Sequence, residues 1–417
     1  MLSETLSGID LANFYRAPLF QGEAKRNVSD WTTHLEARYA QGSTKKSWDT
    51  NEVETHLFNM YGPFDLRKLA DNVEDLDSKP NTKAYAEGEI PTLYDGKLKF
   101  RGKFEIDELD ITLQQNLFWG LYLQAHIPIR KLKISEIDYC ASVTTNIEHE
   151  KLVNFVDNDL DDILAEFCIE PLKSNFERTQ VADVLVSLGW NGHCEFPDSK
   201  LSALRGFLQA GIIFPSGSRK DINKVFSIPT GYNKNWGAHV RGNIHATLWK
   251  KLVLGANAGA SIFWRQTHDQ RLATSIEQNG MILLEKGRAT TDLGTLWDVT
   301  VYAKAEHLVG GLSALAGYSY TQQEDSTLLL RDENPLKTAL ANSDIKNKDE
   351  VINSSKHTQQ WYQHTLHFYA EYDFGAHGKI FGGPAFRISY DYPVIAKHTF
   401  NTDMFGGTAS VAIDWCW

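Results

Sequence analysis

The plainest pattern in the chain begins at Trp236. Trp236, Ala238, Val240, Gly242, Ile244, Ala246 and Leu248 alternate with Gly237, His239, Arg241, Asn243, His245 and Thr247, so an extended segment here has one apolar and one polar face. After Trp249, Lys250 and Lys251 the pattern resumes. Leu252, Leu254, Ala256, Ala258, Ala260, Ile262 and Trp264 stand against Val253, Gly255, Asn257, Gly259, Ser261, Phe263 and Arg265. The same period of two predicts about twelve strands, near 30–41, 96–116, 118–134, 180–190, 201–214, 236–248, 252–265, 296–307, 312–322, 361–374, 379–391 and 404–417. The second is irregular: Leu98, Phe100, Phe104 and Ile106 share one parity, while Leu109, Ile111 and Leu113 share the other. A bulge near Asp107 or Glu108 is expected to restore the face.

The connections alternate in length. Short links follow the even-numbered strands (Leu117, 191–200, 249–251, 308–311, 375–378), and long ones follow the odd-numbered strands (42–95, 135–179, 215–235, 266–295, 323–360, 392–403). Short turns at one end and long loops at the other predict an all-β, antiparallel, up-and-down transmembrane β-barrel with periplasmic turns and extracellular loops. Aromatic pairs fit that reading: Trp236 and Trp249, Tyr362 and Phe374, and Phe405 and Trp415 lie ten to thirteen residues apart, close to the height of a tilted spanning strand.

Composition narrows the alternatives. Among 417 residues there is no apolar run of the roughly 18 needed for a spanning helix. A net charge of -11 argues against nucleic acid as a partner. Pro is scarce (12) and Trp plentiful (11), which suits long strands with interfacial aromatics. The four cysteines lack metal-binding spacing, and no cofactor motif is found. Residues 1–29 lack the apolar segment of a signal peptide, so the expectation is a signal already removed, with 1–29 a periplasmic extension or plug and 30–417 the barrel.

The chain ends with Phe405, Gly407, Ala409, Val411, Ile413, Trp415 and Trp417 on one parity. This resembles the C-terminal strand of Gram-negative outer-membrane β-barrel proteins, porin-like in class. The resemblance implies a bacterial outer-membrane location, a lipid-facing wall, and Phe405, Val411, Ile413, Trp415 and Trp417 as a signal read by the barrel-insertion machinery.

If the apolar parity meets lipid, the other lines the lumen: Glu36, Arg38, Arg205, His239, Arg241, His245, Arg265, Asp298, Lys304, Glu306, Glu371, Arg387 and Asp391 are the lumen candidates. Mixed charges imply a wet or salt-bridged interior. Arg205, Arg241 and Arg265 are either an anion-favouring ring or partners of nearby carboxylates. Residues 152–167 read as an amphipathic helix within a long loop, and Leu11–Phe20 as apolar enough to dock in the lumen. Cys140 and Cys168 flank that helix and are candidates for a disulfide. Asp157, Asp159 and Asp161 fail the calcium-loop template, and no metal is expected. Asn13–Pro18 and Leu57–Gly62 have the look of motifs without an assignable role. The expected function is a channel, not an enzyme, for small hydrophilic solutes. The alternatives are a sealed structural barrel or surface adhesin, and a barrel-embedded hydrolase, with Ser261 beside His239 or His245 the one pairing on offer.

Overall fold

The computed structural model describes residues 10–20, 31–65, 97–142, 153, 157, 160–273, 281–331, 348–374 and 383–415. Twelve strands form one antiparallel ring: β1 Thr32–Thr44, β2 Lys97–Asn116, β3 Leu121–Ser142, β4 Val184–Glu195, β5 Leu201–Phe214, β6 Gly237–Leu248, β7 Leu252–Phe263, β8 Leu296–Val309, β9 Leu312–Gln323, β10 Trp361–Asp373, β11 Ala385–Lys397 and β12 Met404–Asp414. Each pairs with its neighbour in sequence, and β12 pairs back to β1 from Thr32 opposite Asp414 to Gln41 opposite Phe405. No edge is left unpaired in the ring, which is what a sheet needs to sit in hydrocarbon.

The outer face carries the apolar parity. Leu208 is 60% exposed, Ile262 63% and Ile244 56%, with Leu113, Leu188, Val301 and Phe368 in the same belt. A continuous apolar belt of this extent is a lipid-facing surface. Trp31, Trp119, Trp190, Trp249 and Trp415 stand exposed toward the turn end, and Tyr39, Trp236 and Trp264 toward the loop end, at the two interfaces.

The expected bulge at Asp107 or Glu108 is absent. β2 keeps an unbroken register with β1 from Thr44 opposite Phe104 to Thr33 opposite Gln115; against β3 it shifts elsewhere, between Arg101 and Lys103. Leu98, Phe100, Phe104 and Ile106 point inward and Leu109, Ile111 and Leu113 outward on one regular strand. What changes is the surroundings, not the backbone. β2 and β3 have 20 and 22 residues, twice the roughly 9–11 that cross a bilayer, so their loop-end halves rise beyond it. There the inside of the barrel is an apolar core in which Phe104, Ile106, Leu132 and Ile134 meet Leu57, Phe58, Leu164, Phe226 and Phe400.

Other boundaries differ from expectation for local reasons. β11 runs Ala385–Lys397 among the described residues, past the expected end at 391, because a register irregularity opposite His364 and Thr365 lets the strand pass Pro393; residues 379–382 lie outside the described residues. The loop helix, α1, is Leu160–Glu166 within the described residues; Leu152 and Val156 lie outside them. Its Leu160 and Leu164 are fully buried in the core at the mouth. Two small sheets complete the loop end: Gln266–Leu272, Glu285–Asp292 and Thr327–Leu330 form one, and Lys46–Trp48, Glu54–His56 and Thr399–Phe400 the other.

Candidate functional site

The interior is occupied by the first described residues of the chain. Asp10–Phe20 touches strands on opposite sides of the ring and is almost wholly buried. Arg16 Nη1 donates to Asp10 Oδ2 at 2.9 Å, and Arg16 Nη2 donates to Glu108 Oε1 of β2 at 3.0 Å. Arg130 of β3 shares that carboxylate at 3.1 Å and donates to the Tyr15 hydroxyl at 3.1 Å. Asp10 Oδ2 also accepts the Leu19 backbone N–H at 2.7 Å, closing the segment into a compact turn. Two main-chain bonds tie it to the last hairpin, Ala17 N to Thr402 O at 2.9 Å and Phe400 N to Phe14 O at 2.8 Å. Four buried charges are tolerable only because each has an opposite partner. At the segment's lower end the Phe20 ring meets Tyr302, Tyr369 and His367 edge-on at 5.4, 5.6 and 5.6 Å. This segment contains the unassigned Asn13–Pro18 motif; the other, Leu57–Gly62, places Phe58 on Phe226 at 4.1 Å in the mouth core.

Most of the residues expected in the lumen are buried on the inner face, and most are paired. Arg38 meets Asp110 at 2.5 Å, Arg241 meets Asp298 at 2.6 Å, and Arg387 and Lys304 meet Glu371 at 2.8 and 3.4 Å, with Glu306 4.0 Å from Lys304. Arg205 lies 3.9 Å from Glu195, Glu36 is buried, and His245 Nδ1 is 3.4 Å from the Tyr302 hydroxyl. Arg265 is an exception. β7 ends at Phe263, so the alternation no longer governs Arg265, which is exposed and bound to Asp292 at 2.8 Å. The three arginines therefore belong to carboxylate pairs and form no ring. Cys140 and Cys168 are both exposed thiols and the expected bridge between them is not formed. In β12, Phe405 and Trp415 face outward, Val411 and Ile413 are half-buried on the same parity, and Trp417 lies outside the described residues.

His239 Nδ1 lies 2.9 Å from Ser261 Oγ, but its Nε2 is buried with no partner among the described residues. A fuller relay went unnoticed in the sequence: His367 has Ser319 Oγ 2.7 Å from Nε2 and Asp391 Oδ1 2.6 Å from Nδ1. Shared inward parity on β9, β10 and β11 is the signal that relates them. The three residues lie on strands paired in continuous ladders, and Phe20 covers His367.

Above the N-terminal segment lies a cavity of about 270 Å³ at the loop end. Its apolar lining includes Phe14, Met60, Phe226, Ile228, Leu293 and Phe400; its polar lining includes Lys220, His268 and Arg271. The 215–236 loop that supplies Lys220 is pinned by Asp183, whose Oδ1 accepts Gly217 N at 2.8 Å and Oδ2 accepts Tyr232 N at 2.6 Å. A Cβ at Gly231 would sit 2.2 Å from Asp183 Oδ2, so only glycine permits that approach. Arg271 donates to the carbonyls of Ile222 and Phe167, both at 2.8 Å, and so fastens the loop to the chain after α1. Sequence periodicity cannot reveal this cavity, because irregular loops build most of it.

No protein-family description matches the chain, and no curated protein sequence matches it. Among solved structures, an outer membrane channel from Pseudomonas putida F1 aligns at 9% identity and a TM-score of 0.49, over 97% of this chain and 100% of that one. A Pseudomonas aeruginosa FadL homologue aligns at 9% identity and a TM-score of 0.35, over 92% and 90%; Pseudomonas aeruginosa OprD aligns at 8% and 0.30, over 94% and 97%. The lipid belt, the aromatic girdles and the closed ring are this chain's own, and with them it is a twelve-stranded β-barrel protein of the bacterial outer membrane.

Proposed function

We propose that the protein is a gated channel for solutes with substantial apolar surface, residues 1–29 supplying the plug and 30–417 the wall. The observation that carries this reading is one segment with two faces: Phe14 lines the apolar cavity at the loop end, while Phe20, six residues on, stands across the barrel interior against Tyr302 and Tyr369. A solute received in the cavity meets the plug directly, and moving the Arg16–Glu108 latch would open the way beneath. The hydrophilic solute expected from the inner-face charges fits less well. Those charges are mostly spent on one another, and the interior at the loop end is apolar. The outward row of β12 is suited to engagement by insertion machinery.

Single-channel recording in planar bilayers tests the gate. The intact protein is expected to be nearly silent and a variant lacking residues 1–20 to conduct through a lumen lined by Arg38, Arg241 and Arg387. Silence in both, with the barrel folded, would leave a sealed structural wall.

A further inference from the structure

The cavity has a chemical preference built into one corner. Asn233 Oδ1 accepts the Lys220 backbone N–H at 2.9 Å, which turns its Nδ2 toward His268 Nε2 at 3.1 Å. His268 Nε2 is therefore the acceptor and Nδ1 carries the ring hydrogen, yet Nδ1 is buried with no acceptor among the described residues. Burial lowers the His268 pKa, keeping the ring neutral. The Lys220 ammonium has no carboxylate partner among the described residues, and the Arg271 guanidinium is near enough for its charge to depress the Lys220 pKa. Arg271 itself is held by the main-chain carbonyls of Ile222, Leu284, Phe167 and Cys168, with the Glu285 carboxylate near enough for its charge to act on it. Two cations thus border an apolar chamber, with an unanswered N–H donor buried in its wall on His268. The opposing carboxylates of the lining are Asp221, which caps the turn to Asn223, and Asp269, which is exposed; Lys224 is paired with Glu170 at 3.2 Å.

Resting on the channel reading above, we propose that this chamber binds an amphipathic anion, with an apolar body against Phe14, Phe226 and Phe400 and a carboxylate on Lys220 and the His268 Nδ1–H. At roughly 30 Å³ per water-sized group, about 270 Å³ admits a body of only about nine such groups. That sets the class as short or medium-chain acids or small aromatic acids. The head gains charge-assisted hydrogen bonds in a poorly hydrated corner, where they are stronger than at a surface. The tail displaces water from apolar walls.

The test is binding of decanoate, decanol and decylamine to the full chain, folded in a nonionic detergent, by equilibrium titration. Decanoate is expected to bind at least about tenfold more tightly than decanol and decylamine more weakly than either. Lys220→Gln should remove that advantage while leaving decanol binding unchanged, and Lys220→Arg should retain most of it. Resistance of the folded barrel to SDS at room temperature confirms that each variant is folded. Equal binding of decanoate and decanol, or an equal loss of both in Lys220→Gln, would overturn the proposal. Single-channel recording separates the two readings: charge-selective decanoate binding by the intact chain, with no conductance in the variant lacking residues 1–20, fails the channel and leaves the site, whereas conductance in that variant without charge preference in the intact chain's binding does the reverse.

Discussion

The two ends of β2 follow opposite rules. Between Leu109 and Leu113 apolar side chains face out and Asp110, Thr112 and Gln114 face in; between Leu98 and Ile106 the apolar side chains face in and Lys99, Arg101 and Lys103 face out. β3 does the same, with Leu123, Ile127 and Ile129 outward and Leu132 and Ile134 inward. β2 serves both halves without a break in alternation, and β3 changes parity only beyond Ile134, where the register shifts near Glu136. Which parity is apolar depends only on whether lipid lies outside or a packed core lies inside.

That contrast can be broken from either side. The largest effect is expected at the boundary, where Glu108 bridges Arg16 and Arg130 in the buried interior. Glu108→Ala should cost about 3–5 kcal/mol, seen as earlier urea unfolding and as protease access to the N-terminal segment. Of comparable size, Phe104→Ala in the loop-end core should cost about 3–5 kcal/mol, whereas Leu113→Ala should cost far less, because lipid fills the space it leaves. Reversing the test, Leu113→Arg on the lipid face should cost about 2–4 kcal/mol, measured by equilibrium unfolding in lipid vesicles.

The smallest effect is a pH dependence at the cavity. Burial, reinforced by Arg271, lowers the Lys220 pKa to about 8. Its unfolded value is near 10.4, so between these values the unfolded chain binds more protons and the unliganded protein gains stability as pH rises. Below about 8 Lys220 is charged in both states and contributes no slope. Decanoate affinity runs the other way, falling as Lys220 loses its proton above about pH 8. His268, already neutral, adds no change there, and Arg271 stays charged. Lys220→Arg should flatten both trends, as followed by melting and by titration from pH 7 to 10.

Twelve strands were legible because a period of two is imposed on every residue of a wall with unlike sides, and the lengths of the links followed from antiparallel order. The phase of that period was misread in β2, since an apolar residue signals burial without saying in what. Arg265 failed for a related reason: alternation has meaning only while the strand lasts. The candidate site was almost invisible. Asp10, Arg16 and Glu108 come together across nearly a hundred residues, and Lys220, Asn233 and His268 sit in loops where no repeat announces them. Asn13–Pro18 stood out as unusual, but its role requires Glu108 and Arg130 as partners.

The main-chain bonds from Phe14 and Ala17 to Phe400 and Thr402 join the first part of the polypeptide to its final hairpin, some 386 positions later. Residues separated by almost the whole polypeptide thus share one berth, so a change that loosens the turn before the twelfth stave also loosens the plug, and thermodynamic linkage makes the reverse true.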